Sequence, residues 1–190
     1  MKRRKKTILF VVLALLTVGS VYLFLRDTDR PVVRLNRETK AVSVSDSMPL
    51  VKSSANLYFA DRANVFLIAK SRSLLHPGTP VAFGKGIIES LTEGPQEELM
   101  PTIPRGTVLR ALYIRDDGTA FVDMSKAISD NHPGGCKSEL LTIFSIVNSL
   151  VLNISEITSV KILVGGQEAE TLAGHIDIRF PFKANMLLVR

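Results

Sequence analysis

One cysteine and no tryptophan occur among the 190 residues, and aromatic residues make up only 6% of the chain. The lone Cys136 has no partner for an internal disulfide, so the fold must be held by its core. As a small apolar residue, Cys136 itself reads as buried. The three histidines, His76, His132 and His175, stand at no spacing with Cys136 that would ligate zinc. The glycine pairs Gly134-Gly135 and Gly165-Gly166 come without a GxGxxG or Gly-Lys-Ser/Thr pattern, which excludes phosphate loops and leaves turns. No nucleophile elbow surrounds Ser138, so a triad with His132 and Asp123 has no support. Asp116, Asp117 and Asp123 lack the spaced ligand loop of a calcium site and read as a solvated turn and its flank. No catalytic, cofactor-binding or metal-binding residue is therefore expected, and the chain reads as a non-enzyme.

The formal net charge of +6 is unevenly placed. Residues 1–26 hold six Lys/Arg and no acidic residue, so residues 27–190 hold eighteen charges of each sign and are neutral overall. The neutral remainder shows no basic patch interleaved with aromatics, which excludes a nucleic-acid partner. The excess sits at Lys2, Arg3, Arg4, Lys5 and Lys6, followed by Thr7 to Leu25 without a charge. As a helix these nineteen residues would span ~28 Å, close to the hydrocarbon thickness of a bilayer. The basic flank orients the N-terminus to the cytoplasm. The run is longer than a cleaved signal's apolar region and ends in Tyr22, Leu23, Phe24 and Leu25, a poor cleavage site. No cysteine closes it, which removes a lipid anchor. Residues 1–26 are thus expected to form a cytoplasmic flank and an uncleaved transmembrane signal anchor. The protein is placed in the cytoplasmic membrane as a single-pass chain with its domain outside the cytoplasm, in the periplasm of a Gram-negative host.

Residues 27–54 mix charges with Pro31, Pro49 and several serines and read as a flexible tether. A globular domain is expected over 55–185. Asn56–Ala60 and Val65–Ala69 suggest a hairpin across the turn 61–64. Thr79 and Pro80 open a helix that Gly94-Pro95 ends, weakened by Gly84 and Gly86. Residues 108–114 and 119–124 alternate around Asp116-Asp117-Gly118 and form the firmest hairpin. Ser138, as N-cap, and Glu139 open the longest helix, whose apolar stripe runs through Leu140, Ile143, Phe144, Val147, Leu150, Val151 and Ile154. Val160–Val164 is a strand, Gln167–Glu170 an antiparallel return and Ile176–Phe180 a closing strand. The order gives an α+β fold, a mostly antiparallel sheet packed on two helices.

The stretch Gly134-Gly135, Ser138-Glu139-Leu140, Ser145-Ile146-Val147-Asn148-Ser149-Leu150, Val160–Val164 and Glu170-Thr171-Leu172-Ala173-Gly174-His175 resembles the sporulation and spore germination domain of GerMN type. The early hairpin with Tyr58-Phe59 and the helix ending in Glu93-Gly94-Pro95 agree with it, and the resemblance covers roughly 55–182. It implies a compact, membrane-tethered extracytoplasmic domain of a family not known as enzymes, similar to the ring-building motifs of secretion machines. This chain differs from some members in its single copy and in a helix anchor where they carry a lipid.

The expected role is therefore a non-enzymatic binding or scaffold protein, with envelope proteins or further copies of itself as partners and the membrane engaged through residues 7–25. Ser145, Asn148 and Ser149 form a polar shoulder on the long helix, which reads as a solvated face and as a candidate contact with a partner. Glu170 and His175 join the candidate partner-binding residues. His175 itself reads as a turn residue bonded to the backbone. The alternative function is an accessory that binds or processes peptidoglycan, for which His175, Asp177 and Glu170 are the residues with suitable chemistry.

Overall fold

The computed structural model describes residues 51–76, 78–96 and 98–190. The expected membrane span and all of the tether before Val51 lie outside the described residues. Among the described residues, no helix is long and apolar enough to cross a membrane. Residues 46–190 make one compact unit that contains every element below.

The first hairpin pairs β1 (Val51–Ala60) with β2 (Leu67–His76), antiparallel over ten residues each. β1 begins inside the segment read as tether, four residues before the expected edge at 55. Asp61 makes the turn, its Oδ1 accepting the N–H groups of Val65 and Phe66 at 2.7 and 3.1 Å. Helix α1 (Pro80–Glu93) starts as its sequence indicates, with the Thr79 hydroxyl accepting the Ala82 N–H at 3.2 Å and Pro80 at the first position. It ends at Gly94, as expected. Gly84 in this helix is a packing requirement, since an added Cβ would lie 3.3 Å from both Leu112 and Ile154.

Strands β3 (Leu109–Ile114) and β4 (Thr119–Met124) form the expected second hairpin around Asp116-Asp117-Gly118. A short helix, α2 (Ala127–Asp130), leads to the long helix α3 (Cys136–Val151) and then to β5 (Ser159–Val164). β5 pairs with β4 in parallel. The molecule thus has an α+β fold with a two-stranded antiparallel sheet and a mixed three-stranded sheet in the order β3-β4-β5. The expectation of a mostly antiparallel arrangement missed this because α3 is a crossover. A chain leaving β4 and returning through a helix re-enters the sheet in the same direction.

Four further expectations are corrected. Helix α3 starts at Cys136 with Gly135 as its N-cap, so Ser138 lies in the first turn and caps nothing. Cys136 is exposed, contrary to the buried reading. Residues 176–180 form no strand, because their polar groups are spent on each other and on β5. The Asp177 carboxylate turns back to the Arg179 amide and guanidinium, and the buried Lys161 ammonium donates to the carbonyls of Ile178 and Arg179. The return at 167–170 shrinks to a single bridge between Val164 and Gln167.

Helix α3 is the centre of the core, as its apolar stripe indicates. Ile143, Ile146, Val147 and Leu150 are fully buried and pack with Leu57 of β1, Ile88 of α1 and Ile162 of β5 in one cluster. Full burial of such side chains stabilises by ~1.5–3 kcal/mol each before ordering costs.

Candidate functional site

The polar residues of α3 are where the structure departs furthest from the sequence reading. Ser145, Asn148 and Ser149 are fully buried. They are neither a solvated shoulder nor a partner surface, because their bonds run inward. The Ser145 hydroxyl donates to the Tyr58 carbonyl at 2.5 Å and meets the Thr102 hydroxyl at 2.6 Å. The Ser149 hydroxyl accepts the Tyr58 N–H at 3.1 Å. Asn153, just past the helix end, accepts the Asn56 N–H and donates to the Asn56 carbonyl, both at 2.8 Å. Positions 145, 149 and 153 are spaced by four and share one side of a helix. Together they take the outward backbone groups of Asn56 and Tyr58 on the β1 edge that faces away from β2. Met100 finishes it by exchanging two backbone bonds with Ala60.

Asn148 acts in the same way on the other flank. Its amide donates to the Asn185 carbonyl at 3.0 Å and accepts the Asn185 N–H at 2.9 Å. That pair fixes the C-terminal segment against α3, where Phe182 meets Phe144 edge-on at 5.7 Å between ring centroids. A short 3-10 turn, Met186–Leu188, follows, and Val189 bridges to Leu67 of β2.

Glu139 was expected to serve its own helix start. It is instead 0% exposed and serves a distant loop. Its Oε1 accepts the N–H groups of Leu172 and Ala173 at 2.9 and 3.0 Å, and its Oε2 accepts the His175 N–H at 2.9 Å. His175 Nδ1 lies 3.2 Å from the same Oε2 and 3.1 Å from the Ala173 carbonyl. Burial pushes the Glu139 carboxyl up, but the amides of Ala173, Ile176, His175 and Leu172 outweigh it and hold the group below its ordinary value. The His132 ring, bonded to the Thr142 hydroxyl and accepting the Gly134 N–H, is held below its ordinary value by burial. His175 is thus bonded to the backbone as the sequence reading has it, with Glu139 added. The Glu170 side chain is exposed, and its carbonyl accepts the Ile178 N–H at 2.8 Å. The five candidate residues therefore form no common surface. The nearest sequence signal for Glu139 was the coincidence of Ser138-Glu139 with Leu172-Ala173-Gly174-His175, which the chain brings together.

What the fold does present is open strand edge. In an antiparallel pair the backbone groups of alternate residues point outward. β1 uses its outward groups at Asn56, Tyr58 and Ala60 on α3 and Met100, which places those of Ala69, Ser71 and Ser73 on the outer side of β2. Among the described residues no strand pairs with them beyond the Val189 bridge at Leu67. A cleft lined by Phe59, Lys70, Ser71, Arg72, Gln96 and Leu99 runs beside this edge. Arg72 builds one wall, donating to the carbonyls of Ser90 and Gly94 at 3.0 and 2.9 Å and pairing with Glu93 at 3.2 Å. β3 is one of the two outer strands of the other sheet, with Tyr113 63% exposed. Among the described residues, no group of three or more His, Cys, Asp or Glu is arranged to hold a metal ion. Asp123 is buried, contrary to the solvated reading, and pairs with Arg110 at 3.0 Å and accepts the Gly166 N–H at 2.7 Å.

The family described as sporulation and spore germination, Germane, matches residues 56–170. The chain belongs to this family. The matched Germane region begins within β1 and ends just past β5. No curated protein matches the chain. Among solved structures, a protein described as a lipoprotein from Clostridium perfringens is 28% identical, with a TM-score of 0.51 over 70% of this chain and 87% of that one. The tandem GerMN domains of the sporulation protein GerM from Bacillus subtilis are 21% identical, with a TM-score of 0.56 over 69% of this chain and 46% of that one. The first GerMN domain of the same protein is 20% identical, with a TM-score of 0.52 over 70% of this chain and 96% of that one. The last two likenesses concern the fold alone. The chain spans about half of the tandem structure and nearly all of the single domain.

Proposed function

We propose that this Germane domain is a non-enzymatic binding module, held at the outer face of the cytoplasmic membrane by residues 7–25, that takes an extended segment of an envelope protein along the open edge of β2. The observation that carries this reading is the contrast between the two edges of the first hairpin. β1 is closed at Asn56 and Tyr58 by side chains of α3 and of Asn153, while among the described residues no strand covers the outward backbone groups of Ala69, Ser71 and Ser73 on β2, beside the Arg72 cleft. An exposed edge offers main-chain bonds to an incoming strand, and side pockets supply selectivity. Of the residues with suitable chemistry, His175 is bonded to Glu139 and to the Ala173 carbonyl, and Asp177 is paired with Arg179. The likeness to a protein described as a lipoprotein supports a membrane-attached setting.

The test is capture of partners from envelope extracts by residues 46–190 and by the same chain carrying Ser71→Pro. Proline at an outward-pointing edge position removes the donor that a new strand would use and is tolerated by the sheet. A partner that is held by the parent and lost at least tenfold by Ser71→Pro, with unchanged melting, supports the reading. Equal capture by both chains, or no capture by either, rejects it.

A further inference from the structure

Residues 179–190 form a strap across α3, and its two sides differ. The inner side carries Phe182 on Phe144, Asn185 on Asn148 and Val189 on Leu67. Leu188 packs against the core beside them. The outer side carries Phe180, 70% exposed, Met186, 54% exposed, and Leu187, 88% exposed. Leu187 is the most exposed of the large apolar side chains in the described domain. Lys183 and Arg190 flank Met186 and Leu187 in sequence. Lys183 is exposed, and the Arg190 guanidinium and Lys137 ammonium both lie within 6 Å of the Phe66 ring centre, at 5.8 and 5.7 Å. From Ile178 to the end of the chain no acidic residue occurs. Carboxylates lie nearby: Asp177, the exposed Glu170, which acts on Arg179, and Asp61, which faces Arg190 and Lys137. Asp177 is paired with Arg179 at 2.8 Å, and Asp61 accepts two backbone N–H groups in the β1–β2 turn.

We infer that the outer side of this strap docks on an anionic lipid surface, with Phe180, Met186 and Leu187 entering the headgroup boundary and Lys183, Arg190 and Lys137 facing lipid phosphates. Protruding apolar side chains flanked by long basic ones match the two requirements of interfacial binding, buried apolar area and attraction to anionic headgroups. None of Phe180, Met186 and Leu187 lines the clefts around Arg72, Pro101, Asp61 and Phe83. The inference goes beyond the binding role assigned to β2 and does not depend on it, since the two surfaces share no residue.

The absence of tryptophan from the chain makes the test clean. Residues 46–190 carrying Leu187→Trp are mixed with vesicles of phosphatidylglycerol or of phosphatidylcholine alone, and emission is followed. Phosphatidylglycerol should shift the emission to the blue and allow quenching by brominated acyl chains, while phosphatidylcholine should do so at least tenfold more weakly. Adding Lys183→Glu should weaken vesicle binding about tenfold. Tyr113→Trp, a reporter on β3, should not shift. No shift with phosphatidylglycerol, equal shifts with both lipids, or a shift that appears without lipid through self-association would overturn the inference. Wild-type flotation with the same vesicles guards against loss of affinity in the Leu187→Trp chain, and its absence would count equally against docking.

Discussion

The Glu139 carboxylate, buried in the first turn of the long helix, accepts the Leu172 N–H at 2.9 Å across thirty-three positions of sequence. This bond and its neighbours at Ala173 and His175 make the 171–175 loop depend on one negative charge. Because folding lowers the Glu139 pKa, its contribution is complete above the ordinary carboxyl value near 4.5 and fades as pH falls through the lower folded value. Melting temperature should therefore drop below about pH 4.5, and Glu139→Gln should flatten that part of the profile. The same substitution should cost about 2–3 kcal/mol at pH 7, read by urea unfolding, because charged bonds to buried amides are lost.

Ser149→Ala should leave the Tyr58 N–H buried without an acceptor, at a cost of about 1–3 kcal/mol. Hydrogen exchange reads the local effect directly. The Tyr58 amide should exchange faster relative to its β1 neighbours, whereas a solvated Ser149 would leave the pattern unchanged.

Asn148→Ala should free the C-terminal strap. Two bonds to the Asn185 backbone disappear together, and about 2 kcal/mol of stability should go with them. Trypsin cleavage after Lys183 should become faster in native buffer, with cleavage after Arg115 in the second hairpin unaffected.

Gly118 closes the β3–β4 turn at φ +81°, and a Cβ there would lie 2.8 Å from the Thr158 hydroxyl and 3.2 Å from the Glu156 carbonyl. Gly118→Ala should cost about 1–2 kcal/mol for the left-handed backbone alone, with the clash added. Thr158→Ala in the same chain should recover part of the loss in melting temperature and leave the backbone strain.

Local signals located most of the elements. Thr79, Pro80 and Gly94 bound α1 because caps act within one turn, and the alternation around Asp116-Asp117-Gly118 marks a hairpin whose strands are neighbours in sequence. What stayed hidden depends on distant partners. Serine and asparagine at four-residue spacing look like a wet helix face unless the strand edge that takes their bonds, ninety-one positions away for Ser149 and Tyr58, is known. Glu139 suits a helix start so well that nothing local directs it to residues 172–175. The parallel pairing of β5 follows from where α3 lies, which no strand pattern contains.

The filling of the β1 edge by Ser145, Ser149 and Asn153 has a consequence for assembly. A hairpin with two bare sides can add copies without limit, as fibrils do. Here α3 and Met100 occupy β1 from Asn56 to Ala60, so two molecules that met through β2 would find that stretch of the opposite edge already taken. Growth past a pair by that route would have only the first residues of β1 to use.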